Sequence, residues 1–179
     1  VWKNKLSVLM GDFLLSKALI NMIRIKDFDA LERISITAEK LSAGEILQIE
    51  KSMTRSMDEG TYFNMIGQKT ASLIATSCEL GAITTTKKEI DRKSTYDFGH
   101  NLGIAFQIKD DLFDILGSEY ETGKNSNSDV KKNMITLPLI HAKSKMSRIQ
   151  KRKLNKLLRK NKKNKSTLLD IRELITESG

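Results

Sequence analysis

Three aspartates, Asp110, Asp111 and Asp114, close the segment GIAFQIKDDLFD, which runs from Gly103 to Asp114. On a helix turning about 100° per residue, Gly103, Gln107, Asp110 and Asp114 share one narrow stripe and Asp111 lies beside it. Leu102, Ala105, Phe106, Ile108, Leu112, Phe113, Ile115 and Leu116 cover the other directions, with only Lys109 interrupting them. A helix apolar almost all round is expected to be buried. Carboxylates one turn apart repel each other, and each is costly to take out of water unpaired, so a cation is expected at the stripe. Carboxylate oxygens are hard ligands. Mg²⁺ takes one or two of them, keeps several waters and completes its shell with phosphate oxygens. A diphosphate-bound magnesium ion fits this pattern; an exposed acidic face or an internal salt bridge is the alternative. Gly103 either lets a ligand approach the helix or packs tightly against a neighbour.

Lys69 falls among Met65, Ile66 and Leu73 on the apolar face of another helical pattern. A lysine so placed either snorkels to the surface or meets an anion, and its compact ammonium suits phosphate. Asp12 and Glu45 are expected to serve structure through hydrogen bonds or caps. His100 and His141 are far apart in sequence, and Cys78 has no evident base partner, so these three are also expected to be structural.

The elements that must hold these groups are helices. Apolar residues recur at helical spacing through most of the chain, as in Leu6, Leu9, Met10, Phe13 and Leu14, and the one proline is Pro138. The pattern predicts an all-α fold with helices near 5 to 25, 29 to 54, 59 to 83, 87 to 117, 134 to 146, 148 to 161 and 166 to 177. Asp27, Asp29 and Asp58 are candidate helix caps. Gly81, Gly117 and the polar stretch from Glu119 to Asp129 mark ends and a loop. With no repeat or linker in view, residues 1 to 179 are expected to form a single helical domain.

At 179 residues, 39% hydrophobic and 30% charged, the chain has the composition of a globular protein with a real core. A single cysteine excludes an internal disulfide, and no run reads as the ~20 apolar residues that cross a bilayer. Together with the lack of a visible targeting signal, this leads us to expect the cytoplasm. The net charge of +9 is concentrated: 12 of the 31 basic residues lie between Lys143 and Lys165, where there is no acid. Elsewhere 19 bases face 22 acids, so nucleic-acid binding is not expected. The basic stretch is either a solvated face or a weak contact for an acidic membrane surface.

GIAFQIKDDLFD resembles the second aspartate-rich motif of the trans-isoprenyl (polyprenyl) diphosphate synthases, and other segments resemble that family in order. WKNKLSVLMGDFLLSKAL is similar to the segment after its first aspartate-rich motif, and YFNMIGQKTASLIATSCELGAI to its Lys-Thr helix. TGKNSNSD and TLPLIHA are similar to the loop and helix after the second motif. The resemblance implies an antiparallel helical bundle of the isoprenoid-synthase type, packed as a homodimer. It implies head-to-tail condensation of isopentenyl diphosphate with an allylic diphosphate, with Mg²⁺ as cofactor. It assigns Asp110, Asp111 and Asp114 to the metal and Lys69, Thr70, Gln107 and Lys124 to the substrate diphosphate, and it places Lys69, Gln107 and Asp110 in the catalytic set. The segments are most similar to medium or long-chain bacterial members.

The chain departs from the family pattern in three ways. It begins just after the place of the first aspartate-rich motif and stops at ELITESG, where family members continue. It is therefore expected to be a truncated part of a synthase and inactive alone; a non-catalytic subunit of a heteromeric synthase is the alternative. Met134 stands where the family usually has lysine, and Asn127 where it usually has glycine.

Overall fold

The computed structural model describes residues 4–117, 128–160 and 163–178. These residues are helical, with no strand among them, as the periodicity predicts. Helix α1 spans Asn4–Arg24, α2 Phe28–Thr54, α3 Glu59–Ile66, α4 Ser72–Ile83 and α5 Glu89–Leu116. After the short α6 (Ser128–Lys131) come α7 (Leu137–Lys145), α8 (Arg148–Leu158) and α9 (Lys165–Glu177).

Local chemistry sets most of the boundaries. Asp27 accepts from the Ala30 N–H at 3.0 Å and Asp58 from the Thr61 N–H at 2.9 Å, each satisfying a donor that the first helical turn leaves free. Asp29 lies inside the first turn of α2 rather than capping it. Ser147 and Gln150 form a reciprocal capping box at the start of α8. Pro138 sits in the first turn of α7, where its missing N–H costs nothing. This is why that helix starts at Leu137 and not near residue 134.

The pattern from 59 to 83 is not one regular α-helix. Between α3 and α4, Gly67–Ala71 forms a turn of π-helix in which the Ser72 N–H donates to the Gly67 carbonyl. This turn is wedged between its neighbours. A Cβ added at Gly44 of α2 would stand 2.6 Å from the Lys69 backbone nitrogen, and one at Gly103 of α5 would stand 2.5 Å from Ala71 Cα. Gly103 therefore packs against backbone, and it leaves no room there for a ligand. Further along the same α4–α5 seam, a Cβ at Gly99 would meet Ala75 Cα at 2.8 Å and Cys78 Sγ at 2.9 Å.

Two apolar clusters form the core. The larger joins α7, α8 and α9 to the end of α5 through residues such as Ile115, Leu139, Leu154 and Ile171. The smaller centres on Tyr62, Met65 and Ile66, with Ile104 and Ile108 of α5 packed against them. The basic stretch becomes the end of α7, all of α8 and the start of α9. Leu154 and Leu157 are buried there, while Arg152, Lys153 and Lys156 face solvent.

Two expectations need correction. Helix α5 is not covered all round: Phe98, Leu102, Phe106 and Phe113 are 63%, 49%, 60% and 47% exposed. The apolar residues that flank the aspartate stripe by periodicity include an open face, because no described element lies over it. Also, α1 is 21 residues long with a mean hydropathy of 1.5 over its most apolar window, long and apolar enough by length and composition to cross a bilayer. It buries no side chain. Its charges Lys5, Asp12, Lys17 and Arg24 interrupt that apolar character.

Candidate metal and diphosphate site

The π turn carries three polar side chains: Gln68 turns back to donate to Asn64 Oδ1 at 2.9 Å, while Lys69 and Thr70 reach neighbouring helices. An extra residue in a helical turn shifts the phase of the residues after it, which aims these side chains at different neighbours. Lys69 reaches α2, where its Nζ donates to Gln48 Oε1 at 2.6 Å and pairs with Glu45 Oε2 at 2.8 Å. Glu45, expected only to serve structure, is thus the counter-ion of Lys69. An ammonium has three N–H donors, and these two partners leave one for a further acceptor.

Thr70 reaches α5. Its Oγ1 donates to Gln107 Oε1 at 2.9 Å, and Gln107 Nε2 donates to Asp111 Oδ1 at 2.8 Å. Tyr62 completes the chain from α3, its hydroxyl donating to Asp111 Oδ2 at 2.6 Å. Asp111 is buried with both oxygens engaged. Burial pushes its pKa up, and the charges of Asp110 and Asp114 push the same way against the two hydrogen bonds. Burial, and after it the bond to Asp111, pushes the Tyr62 phenol far up, so it stays a protonated donor.

Asp114 faces the start of α6. Its oxygens accept from the backbone N–H groups of Ser128 at 2.9 Å and Asp129 at 3.0 Å, which ties the far end of the connection from α5 back to the aspartate stripe. Asp110 is half-buried on the same helix. Asp129 joins the cluster: burial, then the charges of Asp114 and Asp111, push its carboxyl up to about 6. Lys124 and Asn127 lie outside the described residues. Met134 sets its sulfur 3.6 Å from Gln48 Nε2, so an apolar thioether stands beside the amide that holds Lys69.

Among the described residues no three His, Cys, Asp or Glu side chains converge closely enough to hold a metal ion by themselves. The donor set still fits Mg²⁺, which needs only one or two protein carboxylates. Asp110, Asp111 and Asp114 would supply the hard oxygens, Asp111 while accepting from Tyr62 and Gln107 and Asp114 while accepting from the backbone of Ser128 and Asp129.

Tyr62, Gln48 and Asp129 were not singled out from the sequence. Tyr62 precedes Lys69 by seven positions, two helical turns on the same face, and Gln48 lies one turn after Gly44; both spacings were visible. Asp129 carried no signal beyond its place at the end of a polar stretch. His100 stacks on Tyr96 with ring centroids 6.4 Å apart, His141 is exposed, and Cys78 is half-buried against Gly99.

The chain is similar to known proteins over most of its length. Residues 1–175 match the family model described as polyprenyl synthetase. The chain is 36% identical over 143 residues to heptaprenyl diphosphate synthase component 2 of Geobacillus stearothermophilus, covering 80% of this chain and 45% of that protein. It is 37% identical to the mitochondrial solanesyl-diphosphate synthase 1 of Oryza sativa, covering 78% of this chain and 32% of that one. A polyprenyl synthase from Caulobacter crescentus, solved in complex with calcium and isoprenyl diphosphate, superposes with a TM-score of 0.90 at 31% identity over 99% of this chain and 54% of its own. A decaprenyl diphosphate synthase from Rhodobacter capsulatus gives 0.89 at 30% identity, covering 99% of this chain and 55% of that one. The chain spans about half the length of these solved relatives.

Proposed function

Because the chain belongs to the polyprenyl synthetase family, we propose that it works in a magnesium-dependent trans-prenyltransferase that condenses isopentenyl diphosphate with an allylic diphosphate and releases diphosphate. One observation carries this reading. The π turn sends neighbouring side chains to two helices, Thr70 through Gln107 to Asp111 on α5 and Lys69 to Gln48 and Glu45 on α2, so a lysine with a free N–H stands next in sequence to the threonine that is bonded into the aspartate stripe.

In this reading Asp110, Asp111 and Asp114 hold the ion, directly or through water. A bound Mg²⁺ would neutralise the charge that develops on the departing diphosphate. Asp111 is also the brace: with Tyr62 and Gln107 already on its oxygens, it fixes the stripe and adds charge without leaving the core. Lys69 offers its remaining N–H to the diphosphate, and Glu45 and Gln48 hold the ammonium so that little side-chain freedom is lost on binding. Thr70 and Gln107 are committed to each other, and the second N–H of the Gln107 amide remains for a phosphate oxygen. Lys124 is our candidate for a further diphosphate contact. Departure of the diphosphate leaves an allylic cation. The isopentenyl double bond attacks it, and loss of a proton restores neutrality.

Full-length protein assayed for isopentenyl incorporation is expected to elongate at least one common allylic primer only when magnesium is present. Failure with every primer would refute the reading. Lys69→Met is expected to lower kcat/KM by 10²-fold or more, on the order of what a lost charge-assisted contact to a transition-state anion costs. We place the activity in the cytoplasm. Residues 1–179 act as one helical domain.

The exposed apolar residues of α1 and α5 support a homodimer. A second reading is motivated by the relatives named as component 2 of a heptaprenyl diphosphate synthase: these faces receive a different subunit. Light scattering of the protein expressed alone separates the two, since a homodimer has twice the chain mass and a heteromeric subunit does not pair with itself.

A further inference from the structure

The C-terminal end of α2, the turn at Asn133–Ile135, and helices α7 and α8 enclose a cavity of about 540 Å³, within the size range of small-ligand sites. Its charged lining has one sign, being Arg55, Lys143 and Arg159 without any carboxylate. Lys163 adds a fourth cation at the edge, its Nζ donating at 2.7 Å to the Oδ1 of Asn133, which lines the cavity. Among the described residues, none of these four cations is paired with a carboxylate.

Two of the cations, Arg55 and Lys163, are tied to the rim of the cavity. The Arg55 guanidinium donates to the Arg159 carbonyl at 3.3 Å, linking the end of α2 to the end of α8. Arg55 itself has φ 51°, a left-handed conformation that disfavours a residue with a Cβ by roughly 1 kcal/mol. Asn133, on the facing turn, has φ 61°. Both are left-handed residues that end a helical segment, Arg55 as the C-cap of α2 and Asn133 just after α6, and they bring the two chain reversals together at the cavity. Burial, and then the charge of Arg55, pushes the Lys163 ammonium down. An anion would relieve this crowding.

Much of the remaining lining is apolar, from Ile135, Leu139 and Leu158. A bare phosphate would leave that surface uncovered. We propose that this cavity binds a phosphate or diphosphate group attached to an apolar body, at a site separate from the α5 carboxylates. Guanidinium and ammonium groups take the phosphate oxygens, with the planar arginine fork able to bind two at once, and the apolar wall takes the body. Met134 lines the cavity and also touches Gln48, the amide that holds Lys69. The cavity and the lysine site thus share that residue as a wall.

The test is calorimetric titration of the chain in excess chelator, so that metal-dependent binding at the carboxylates is suppressed. The probes are inorganic diphosphate and geranyl diphosphate. Both are expected to bind saturably, geranyl diphosphate at least tenfold more tightly. The Arg55→Gln/Arg159→Gln double variant, with its fold checked by circular dichroism, is expected to weaken both at least tenfold, and Lys93→Gln, at an exposed cation of α5 away from the cavity, to leave them unchanged. Lys143→Gln, a single change on a helix surface, is expected to weaken both several-fold and serves if the double variant misfolds. No saturable binding, binding indifferent to these cations, or binding lost with Lys93→Gln alone would overturn the site. Equal affinity for the two probes would overturn the apolar half of the assignment. Adsorption to anionic vesicles without binding of either soluble probe would mean a membrane-docking face instead.

Discussion

Helix α9, 13 residues long, buries five of its side chains, whereas α1, at 21 residues, buries none. The two ends of the chain solve different problems. The C-terminal helices close an apolar cluster, from Leu139 and Leu154 to Ile171 and Leu174, against Ile115 at the end of α5 and Val130 of α6. The N-terminal half is assembled around polar groups. There α2, the π turn and α5 approach backbone to backbone at Gly44 and Gly103, and the space between is given to Lys69, Thr70, Gln107 and Asp111. One half is built for cohesion. The other holds charge in position, and its remaining apolar surface points outward.

The contrast is testable by breaking each half in its own way. The largest effect is expected from Leu154→Ala, which empties a fully buried position in the C-terminal cluster. It should cost about 3 to 4 kcal/mol in urea unfolding while leaving the affinity for Mg²⁺ unchanged. Gly103→Ala puts a Cβ against Ala71 backbone that has no flexible end to yield. It should cost about 2 to 3 kcal/mol and, unlike the leucine change, should also weaken Mg²⁺ and diphosphate binding measured by calorimetry. If both variants lose stability and ligand affinity together, the two halves are one cooperative unit and the distinction fails.

Tyr62→Phe removes a donor from buried Asp111 and nothing else. It should cost about 1 to 2 kcal/mol, and it should move the pH dependence of unfolding because one of the two bonds that hold the Asp111 pKa down is gone. The smallest effect belongs to Asp129. Its folded-state carboxyl titrates at about 6, above the ordinary 3.8, so the folded form binds more protons than the unfolded form between those values. Stability should therefore be higher near pH 4 and fall as pH rises through 6. After allowance for solvent screening the loss is about 1 kcal/mol. Asp129→Asn should flatten that part of the profile, and added Mg²⁺ should offset the loss at pH 7 in the unsubstituted protein. A stability that rises over that interval would refute the clustering of charge at α6.

Much of the scaffold was legible in the sequence because it is local. Helical periodicity, the caps at Asp27 and Asp58, and the aspartate stripe all depend on residues within a turn or two of each other. Pro138 even carried the signal for the true start of α7, since proline favours the first turn of a helix over its middle. The π turn was not legible. No residue in GQKTA demands it, and it exists where two glycines on other helices bring backbone against it. The open face of α5 escaped for a related reason: periodicity says which residues are apolar, but not whether a neighbour is there to meet them. Within the site, the stripe and Lys69 stood out by residue type, while Tyr62, Gln48 and Asp129 owe their roles to distances set by packing.

The π turn also bears on how this segment tolerates length changes. A helix with one residue looped into a wider turn differs from a regular helix by a single position. Deleting one residue between Gly67 and Ala71 would let α3 and α4 join as an uninterrupted α-helix with better hydrogen bonds, so the lesion need not announce itself as unfolding. The side chains of α4 would keep their directions, because the wide turn had absorbed the extra residue, but those inside the turn would be re-aimed. Tyr62 and Thr70 would no longer address the same carboxylate network. A register error of one residue could leave the helix intact and the site lost, which makes an indel here more damaging to chemistry than to shape.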